Sequence, residues 1–141
     1  MSTAALPEPV RGFLALMSGG DPRWVDDLYA DPCRVDGTPL PRSRVRAAVQ
    51  ALRTAFPDAR YETLDVAGGP ADWALRLRWT GTHRGTYRTR HGSFLSSGRR
   101  IAVTGVQVLR LADGRIAETW GQWDDLELLR QIGVLQLGWE E

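Results

Sequence analysis

The sequence lacks lysine altogether and contains a single cysteine and only two histidines. One cysteine, Cys33, excludes an internal disulfide and cannot build a cysteine-rich metal site. A phosphate-binding glycine loop is missing too, because Gly81 and Gly85 lie in a strand pattern with no helix start after them. The two histidines do not stand at ligand spacing on one helix. We therefore expect no metal, nucleotide or flavin cofactor.

An excess of charge of one sign is also missing, as are long apolar runs. The 18 basic side chains balance 17 acidic ones to a net charge of +1, so no basic stripe is present to bind nucleic acid. No apolar run approaches the ~18 residues that span a bilayer. The first ten residues lack the pattern of a secretory signal. We expect a cytoplasmic protein with neither a nucleic acid nor a membrane as its partner.

What is present fits one folded domain over residues 1–141, since 43% of the residues are hydrophobic. Apolar residues at spacings of three and four predict helices over 7–17, from 22 to about 31, and over 41–56. Asp124 followed by Glu127 has the form of a capping box. It predicts a last helix with Leu126, Leu129 and Ile132 on its apolar side.

A period of two predicts strands over 61–66 and 73–80, the second with Trp73, Leu75, Leu77 and Trp79 on one face. Residues 101–111 and 115–123 predict two more strands, joined by a tight turn at 113–114. The polar stretch 86–98 predicts a long connection or flap between strands. The pattern is typical of an α+β fold in which helices cover one face of an antiparallel sheet.

Two valines predict a subunit interface on the outer face of the sheet. Val106 and Val108 alternate with the inward residues of their strand, so they point away from the helices. Apolar side chains on an outer face are most simply covered by a second subunit. We expect a homodimer through the outer sheet face.

Five segments carry a family resemblance: FPD at 56–58, RWTGTHRG at 78–85, GRR at 98–100, ADGRIAETW at 112–120 and WDDLELLRQIG at 123–133. In this order and spacing they resemble the SnoaL-like polyketide cyclases of the nuclear-transport-factor-2-like superfamily. The resemblance implies a cone in which a curved antiparallel sheet wraps around helices and encloses an internal pocket for a small-molecule substrate. It also implies ring closure by aldol chemistry, or the cofactor-free hydroxylation and epoxide opening of related enzymes.

The resemblance further implies an acid/base pair of Asp and His on the last two strands. These positions fall on Gly121 and Gln107 in this sequence. An amide donates a hydrogen bond but does not exchange protons near neutral pH, and glycine has no side chain. We expect Gln107 to hold the reacting oxygen, and Gly121 to enlarge the pocket beside Thr119 and Trp123.

The remaining acid/base candidates are His83 and Asp124. His83 shares its alternation face with Trp79 and so points inward, where an imidazole is the best general acid or base in the sequence. Asp124 would assist or position a water at the pocket mouth. The alternatives are a hydrogen-bonded histidine at a strand end and an aspartate that only caps the last helix.

Aromatic and small residues complete the predicted substrate-binding surface. Three tryptophans point inward by parity, a tyrosine of the second helix faces them, and a flap tyrosine closes over the substrate. With the two residues beside the pocket they form the set Tyr29, Trp73, Trp79, Tyr87, Thr119, Gly121 and Trp123. The alternatives are tryptophans that only pack in the core and a tyrosine on a solvated loop. We expect a cofactor-independent cyclase or isomerase acting on a polyketide-type or other apolar oxygenated molecule of secondary metabolism. The alternatives are a hydroxylation or epoxide-opening enzyme and a non-catalytic binding protein.

Overall fold

The computed structural model describes residues 6–135. Its helices are α1 (Glu8–Met17), α2 (Val25–Leu28), α3 (Arg42–Ala55) and α4 (Asp125–Gln131), with a 3₁₀ turn at Pro22–Trp24. Its strands are β1 (Tyr29–Val35), β2 (Thr38–Leu40), β3 (Arg60–Gly68), β4 (Asp72–Thr82), β5 (Tyr87–Thr89), β6 (Gly92–Phe94), β7 (Arg100–Ala112) and β8 (Arg115–Trp123).

A curved six-stranded sheet in the order β2-β1-β8-β7-β4-β3 forms the frame of the α+β fold. Strands β4 and β7 pair without interruption from Asp72 opposite Arg110 to Thr82 opposite Arg100. The pleat turns alternate side chains of β4 towards the helices, where all four of its predicted inward residues are buried. The α+β class and the alternation of β4 are thus confirmed.

Strand β1 corrects the prediction that the second helix extends to about residue 31. Helix α2 ends at Leu28, and Tyr29 begins a strand that runs parallel to β8. The sheet is therefore mixed rather than wholly antiparallel. Pro32, which has no N–H to donate, falls where the β1–β8 register is interrupted between Tyr29 and Arg34. Pairing with β8 outweighs the helical spacing of the local sequence.

The polar connection 86–98 holds a short β-hairpin, which the sequence analysis did not predict. Tyr87 pairs with Phe94 and Thr89 pairs with Gly92. The Thr89 hydroxyl donates to the Gly92 carbonyl oxygen at 3.1 Å and accepts from the His91 amide at 2.9 Å. This small hairpin stands beside α3 and α4 and brings Tyr87 back to the main body of the fold.

Helix α4 begins as its capping pattern predicts, because the Asp124 carboxylate accepts the Glu127 amide N–H at 3.2 Å. Its apolar face agrees with the predicted one in part. Ile132 is buried and Leu129 packs against buried core residues, as predicted, whereas Leu126 is 60% exposed and Leu128 is buried instead. Helix α4 has only seven residues, so its orientation on the sheet selects which leucines are covered.

Two arginines connect helix ends to the rest of the fold. Arg53 of α3 donates to the carbonyl oxygens of Leu16 and Gly20, both at 2.6 Å, and so satisfies the C-terminal end of α1. Arg115 of β8 donates to the carbonyl oxygen of Asp26 at 2.9 Å. Arg115, which lies in one of the resemblance segments, thus holds α2 against the sheet.

The buried side chains form two clusters between the helices and the inner sheet face. The first surrounds Phe13 of α1 and Leu75 of β4, and the second surrounds Phe56 and Ile101. On the opposite face, Val106 is 40% exposed, as its parity predicts. In residues 6–135 we find no helix with the length and apolarity needed to cross a membrane.

Candidate active site

A cavity of about 300 Å³ lies where the two core clusters meet, between α3 and the inner sheet face. Helices α1 and α3 supply apolar side chains, and the strands supply aromatic and polar ones. Its lining consists of Phe13, Met17, Tyr29, Val35, Leu40, Val45, Ala48, Val49, Leu52, Tyr61, Trp79, Tyr87, Gln107, Thr119 and Trp123. A cavity of this size and apolar character is typical of small-molecule sites.

All three tyrosines of the chain line this cavity. Burial raises the pKa of Tyr29 and of Tyr61, and the other two phenols raise the pKa of Tyr61 further. Burial, with the Asp125 carboxylate as a second cause, raises the pKa of Tyr87 to about 12. Because burial raises the pKa of all three phenols above the ordinary tyrosine value of about 10, their hydroxyls stay protonated at neutral pH.

Among the described residues, none of the three phenol oxygens has a hydrogen-bond partner. The indole N–H of Trp79 is also unpaired, and it is buried. Buried polar groups are rarely left without a partner, so these atoms are candidates for contact with a bound molecule. Together they offer hydrogen-bond donors that carry no charge.

Trp79 and Trp123 form an aromatic corner with Tyr61. The ring centroids of Trp79 and Trp123 are 5.7 Å apart at an interplanar angle of 74°, and those of Tyr61 and Trp123 are 5.2 Å apart. Edge contacts of this kind stabilise aromatic clusters beyond the area they bury. The corner is therefore a stiff wall of the cavity.

Gln107 lies on β7 directly opposite Gly121 of β8. In the orientation that satisfies both neighbours, its amide nitrogen donates to the Trp120 carbonyl oxygen and its amide oxygen accepts from Trp123 Nε1, each at 3.1 Å. The space beside Gly121 is thus filled by the Gln107 amide. Gly121 is not among the residues that line the cavity.

His83 is fully buried immediately after β4, with its ring stacked on Phe56 at 5.4 Å. Its Nδ1 atom accepts the Ser97 amide N–H at 3.2 Å and lies 2.9 Å from the Ser97 hydroxyl. Its Nε2 atom is buried without a partner. The residue stands behind the cavity lining, next to Tyr87, whose ring centroid is 6.4 Å from the imidazole.

Asp58, in the first resemblance segment, fixes the end of β4. Its carboxylate accepts the Thr82 amide N–H and the Thr82 hydroxyl, both at 2.7 Å. Desolvation acts to raise the pKa of Asp58, but these two hydrogen bonds outweigh it and lower the pKa. This contact sets the position from which His83 enters the core.

The other predicted site residues are placed as follows. Trp73 packs in the first core cluster with its Nε1 donating to the Pro70 carbonyl oxygen at 3.0 Å. Asp124 caps α4 and does not line the cavity. Tyr87 lines the cavity and also a smaller one of about 120 Å³, shared with His91 and Asp125.

The sequence analysis did not predict that Tyr61 and the apolar side chains of α3 line the cavity. Tyr61 was recognised only as the first residue of a strand, with no sign of its direction. The stripe Val45, Val49 and Leu52 was recognised as a helix face. A stripe of that kind does not show where close packing ends and a cavity begins.

No Asp, Glu, Arg or His side chain lines the larger cavity in the part of the chain that is described. Within the same residues, no group of three His, Cys, Asp or Glu side chains is placed to hold a metal ion. The cavity can therefore hold an apolar molecule and donate hydrogen bonds to its oxygens without placing a charge beside it.

Solved structures with similar folds include three from Streptomyces species. TsrD from Streptomyces laurentii superposes with a TM-score of 0.81 at 25% identity, covering 96% of this chain and 99% of that one. AclR, a putative hydroxylase from Streptomyces galilaeus, gives 0.76 at 21% identity over 92% and 81%. IdmH, a putative polyketide cyclase from Streptomyces antibioticus, gives 0.73 at 24% identity over 90% and 97%.

A comparison with curated protein sequences found no match. The family model described as SnoaL-like polyketide cyclase matches residues 8–132, which span α1 to the end of α4 and include every residue of the cavity lining. This match covers most of the chain, and the fold agrees with it. The chain therefore belongs to the SnoaL-like polyketide cyclase family.

Proposed function

We propose that this chain is a cofactor-independent cyclase or isomerase acting on a polyketide-type or other apolar oxygenated molecule of secondary metabolism. The observation that carries the proposal is the cavity of about 300 Å³, with aromatic walls and neutral hydrogen-bond donors. Membership of the family supports a cyclase-type activity. The cavity's chemistry supports this substrate class, since apolar walls and uncharged donors favour a molecule rich in carbonyl oxygens.

Ring closure by an intramolecular aldol reaction begins when a proton leaves the carbon beside a carbonyl group. The electron pair moves onto that carbonyl oxygen, giving an enolate. The enolate carbon then attacks a second carbonyl carbon of the same molecule, forming the new bond and an alkoxide. The alkoxide takes up a proton, so the product is an isomer of the substrate. Donors placed at the enolate oxygen lower the barrier.

The cavity supplies these donors as the hydroxyls of Tyr61 and Tyr87 and the indole N–H of Trp79. They act where the apolar walls exclude water, and a hydrogen bond to developing charge is stronger there than in bulk solvent. The same walls hold a flexible substrate folded, so that the two reacting carbons meet without a further loss of entropy.

The geometry favours a different role for His83 than that of a base. Its Nδ1 lone pair already accepts from Ser97, so the neutral ring presents Nε2–H. We therefore assign neither His83 nor Asp124 to proton abstraction: the His83 ring packs on Phe56 behind the cavity lining, and Asp124 caps α4. The proton is lost from a carbon between two carbonyl groups, which is acidic enough for water or hydroxide at the cavity mouth to accept it.

The test uses a synthetic linear poly-β-ketone as the substrate and detects the cyclised isomer by mass spectrometry and NMR. We expect turnover above the buffer rate, and a kcat/KM reduced roughly a hundredfold in Tyr61→Phe and Tyr87→Phe. Ser93→Ala removes a hydroxyl from an exposed residue of the hairpin and serves as the matched control.

The pH dependence distinguishes the two roles of His83. Without a histidine base, the pH profile of kcat/KM should be the same in the wild type and in His83→Gln. A limb of the wild-type profile that is lost in His83→Gln would contradict our assignment and make His83 the base.

A non-catalytic ligand-binding protein is the second candidate, because no ionisable group that titrates near neutral pH lines the described cavity. This candidate predicts saturable binding of the polyketone without product. Hydroxylated or hydrolysed products from a polyketone or an epoxide would instead indicate the oxygen- or water-adding chemistry of related enzymes.

We also propose that a second copy of the chain covers the outer sheet face. Val106 and Val108 lie there, and two arginines of the same face are paired within the subunit: Arg110 contacts Asp72 at 2.9 Å, and Arg78 contacts Glu62 at 3.2 Å. Paired charges and apolar centres suit burial against an identical face. Sedimentation should find a dimer that Val106→Arg dissociates and Leu95→Arg leaves intact, whereas a monomeric wild type would contradict it.

We also propose that the protein is located in the cytoplasm. Cys33 is fully buried, and desolvation raises the pKa of its thiol, so it stays reduced and unreactive in such a compartment. Measuring the activity in the soluble and membrane fractions of a lysate tests this placement.

A further inference from the structure

Gln107 and Gly121 stand where the family resemblance implies an acid/base pair. In the structure, the side chain of Gln107 occupies the space beside Gly121. The two residues face each other across β7 and β8. A Cβ atom on residue 121 would lie 2.8 Å from the terminal amide of Gln107. That distance is too short for any real contact, so the Gln107 amide can hold its position only because residue 121 is glycine.

The position of the Gln107 amide determines the position of a third residue, Trp123. The amide oxygen accepts from Trp123 Nε1 at 3.1 Å while the nitrogen is held by the Trp120 carbonyl oxygen. Because both ends of the amide are engaged, it cannot rotate without losing both hydrogen bonds. Gln107 therefore fixes the direction of the Trp123 ring from one side.

A second glycine makes room for the ring itself. Gly105 lies opposite Trp123 in the same strand pair, and a Cβ atom there would be 2.5 Å from atoms of the indole. The indole thus lies directly over the backbone of Gly105, with Tyr61 and Trp79 against its other sides. Gly121, Gly105 and the Gln107 amide thus restrict the Trp123 ring to one position in the cavity wall.

We propose that Gln107 is a positioning residue that fixes Trp123 as a wall of the substrate cavity. Gly121 leaves room for the Gln107 amide, and Gly105 leaves room for the indole. The pair at 107 and 121 then shapes the cavity and takes no part in the chemical step. This inference rests on the proposed function only in taking the cavity as the substrate site.

The first experiment needs no substrate. The protein is labelled with fluorotryptophan, and the ¹⁹F resonance of Trp123 is assigned among the six tryptophans with Trp123→Phe. Gln107→Met, which keeps the length of the side chain but removes both hydrogen bonds, should shift and broaden this resonance. Gln122→Met makes the same change on an exposed residue of β8 and should leave it unchanged. An unaltered Trp123 resonance in folded Gln107→Met would overturn the proposal.

The second experiment is a double-mutant cycle on the melting temperature and the affinity for the polyketone. Gly121→Ala displaces the amide, so it should weaken binding roughly three- to tenfold, as Gln107→Ala does. The double variant should bind no more weakly than either single variant, because the contact is lost only once. Additive losses would overturn the proposal. If Gln107→Ala fails to fold, the cycle is run with Gln107→Met and Gly121→Ala.

The third experiment separates positioning from chemistry. For a residue that shapes the binding wall, Gln107→Met should raise KM with kcat nearly unchanged. For a donor to the enolate oxygen, kcat would fall roughly a hundredfold with little change in KM, and this result would overturn the proposal. If no substrate turns over, the cyclase proposal fails while the ¹⁹F result still decides the role of Gln107.

Discussion

The Nδ1 atom of His83 lies 3.2 Å from the backbone nitrogen of Ser97 and 2.9 Å from its hydroxyl oxygen. A backbone N–H can only donate, so Nδ1 accepts, and the neutral ring carries its proton on Nε2. The Nε2 atom of His83 therefore carries a proton, whereas a general base would need a free lone pair on that atom. We expect imidazole ¹⁵N NMR to find an unprotonated Nδ1 in the wild type and in Ser97→Ala, which keeps the amide. A proton on Nδ1 would contradict this geometry.

The three tyrosines predict an unusual alkaline titration. With the pKa of all three raised, and that of Tyr87 to about 12, little phenolate should form in the native protein at about pH 10, where unfolded tyrosine is half ionised. Ultraviolet absorbance of phenolate measures this directly, and the same protein in denaturant is the control. Ordinary titration of the native protein would show that the phenols are exposed to water.

The same shifts have a consequence for stability. The neutral phenol of Tyr87 contributes its full stabilisation below about pH 10, and this is lost as the pH rises through its folded pKa of about 12. Unfolding free energy should thus fall with rising pH in this window. The fall should be shallower in Tyr87→Phe, as measured by urea denaturation.

Phe56 is the centre of the second core cluster and touches the rings of Trp79, His83 and Tyr87. Because it is fully buried, Phe56→Ala should lower the free energy of unfolding by about 3–5 kcal/mol. Leu95→Ala, at a residue that is 81% exposed, should change it by less than about 0.5 kcal/mol. Chemical denaturation measures both. Similar losses in the two variants would mean that Phe56 is not part of a packed core.

Asp58 predicts an acid-dependent loss of stability. Its pKa is lowered, so its carboxylate stabilises the fold above about pH 4, and this is lost as the pH falls through the lowered value. Since the side chain is largely exposed and partly screened, Asp58→Asn should cost only about 1 kcal/mol near neutral pH.

Denaturation of both proteins from neutral to acid pH tests this prediction. The difference between wild type and Asp58→Asn should shrink as the pH falls below about 4. A difference that stays constant into acid would mean that the hydrogen bonds to Thr82 do not depend on the charge of Asp58.

The segments that carry the family resemblance are mostly structural in this chain. Asp58 fixes the end of β4, Arg115 holds α2, and Asp124 caps α4. Contacts of this kind hold the elements of one topology together, which is why the motifs predict the fold well. The same motifs say little about the chemistry, because the cavity is lined from elements far apart in the sequence.

Three aromatic residues show which features of the site the sequence does not predict. Trp73 and Trp79 lie on the same face of β4, yet Trp79 lines the cavity and Trp73 packs in the core. Parity assigns a side chain to a face and cannot show how far along the strand the helices leave a space. Tyr29 reaches the cavity from β1, whose pairing with β8 was not evident from a local helical spacing.

The sequence by itself determined the α+β class, helices α1 and α3, strands β4, β7 and β8, and the family. Periodicity, caps and turn residues act between neighbours in the chain, so they can be read without coordinates. Only the tertiary structure decided that β1 runs parallel to β8, that the Gln107 amide fills the space beside Gly121, and that His83 presents Nε2–H. These depend on contacts between distant segments, whose geometry is set by how helices and sheet pack together.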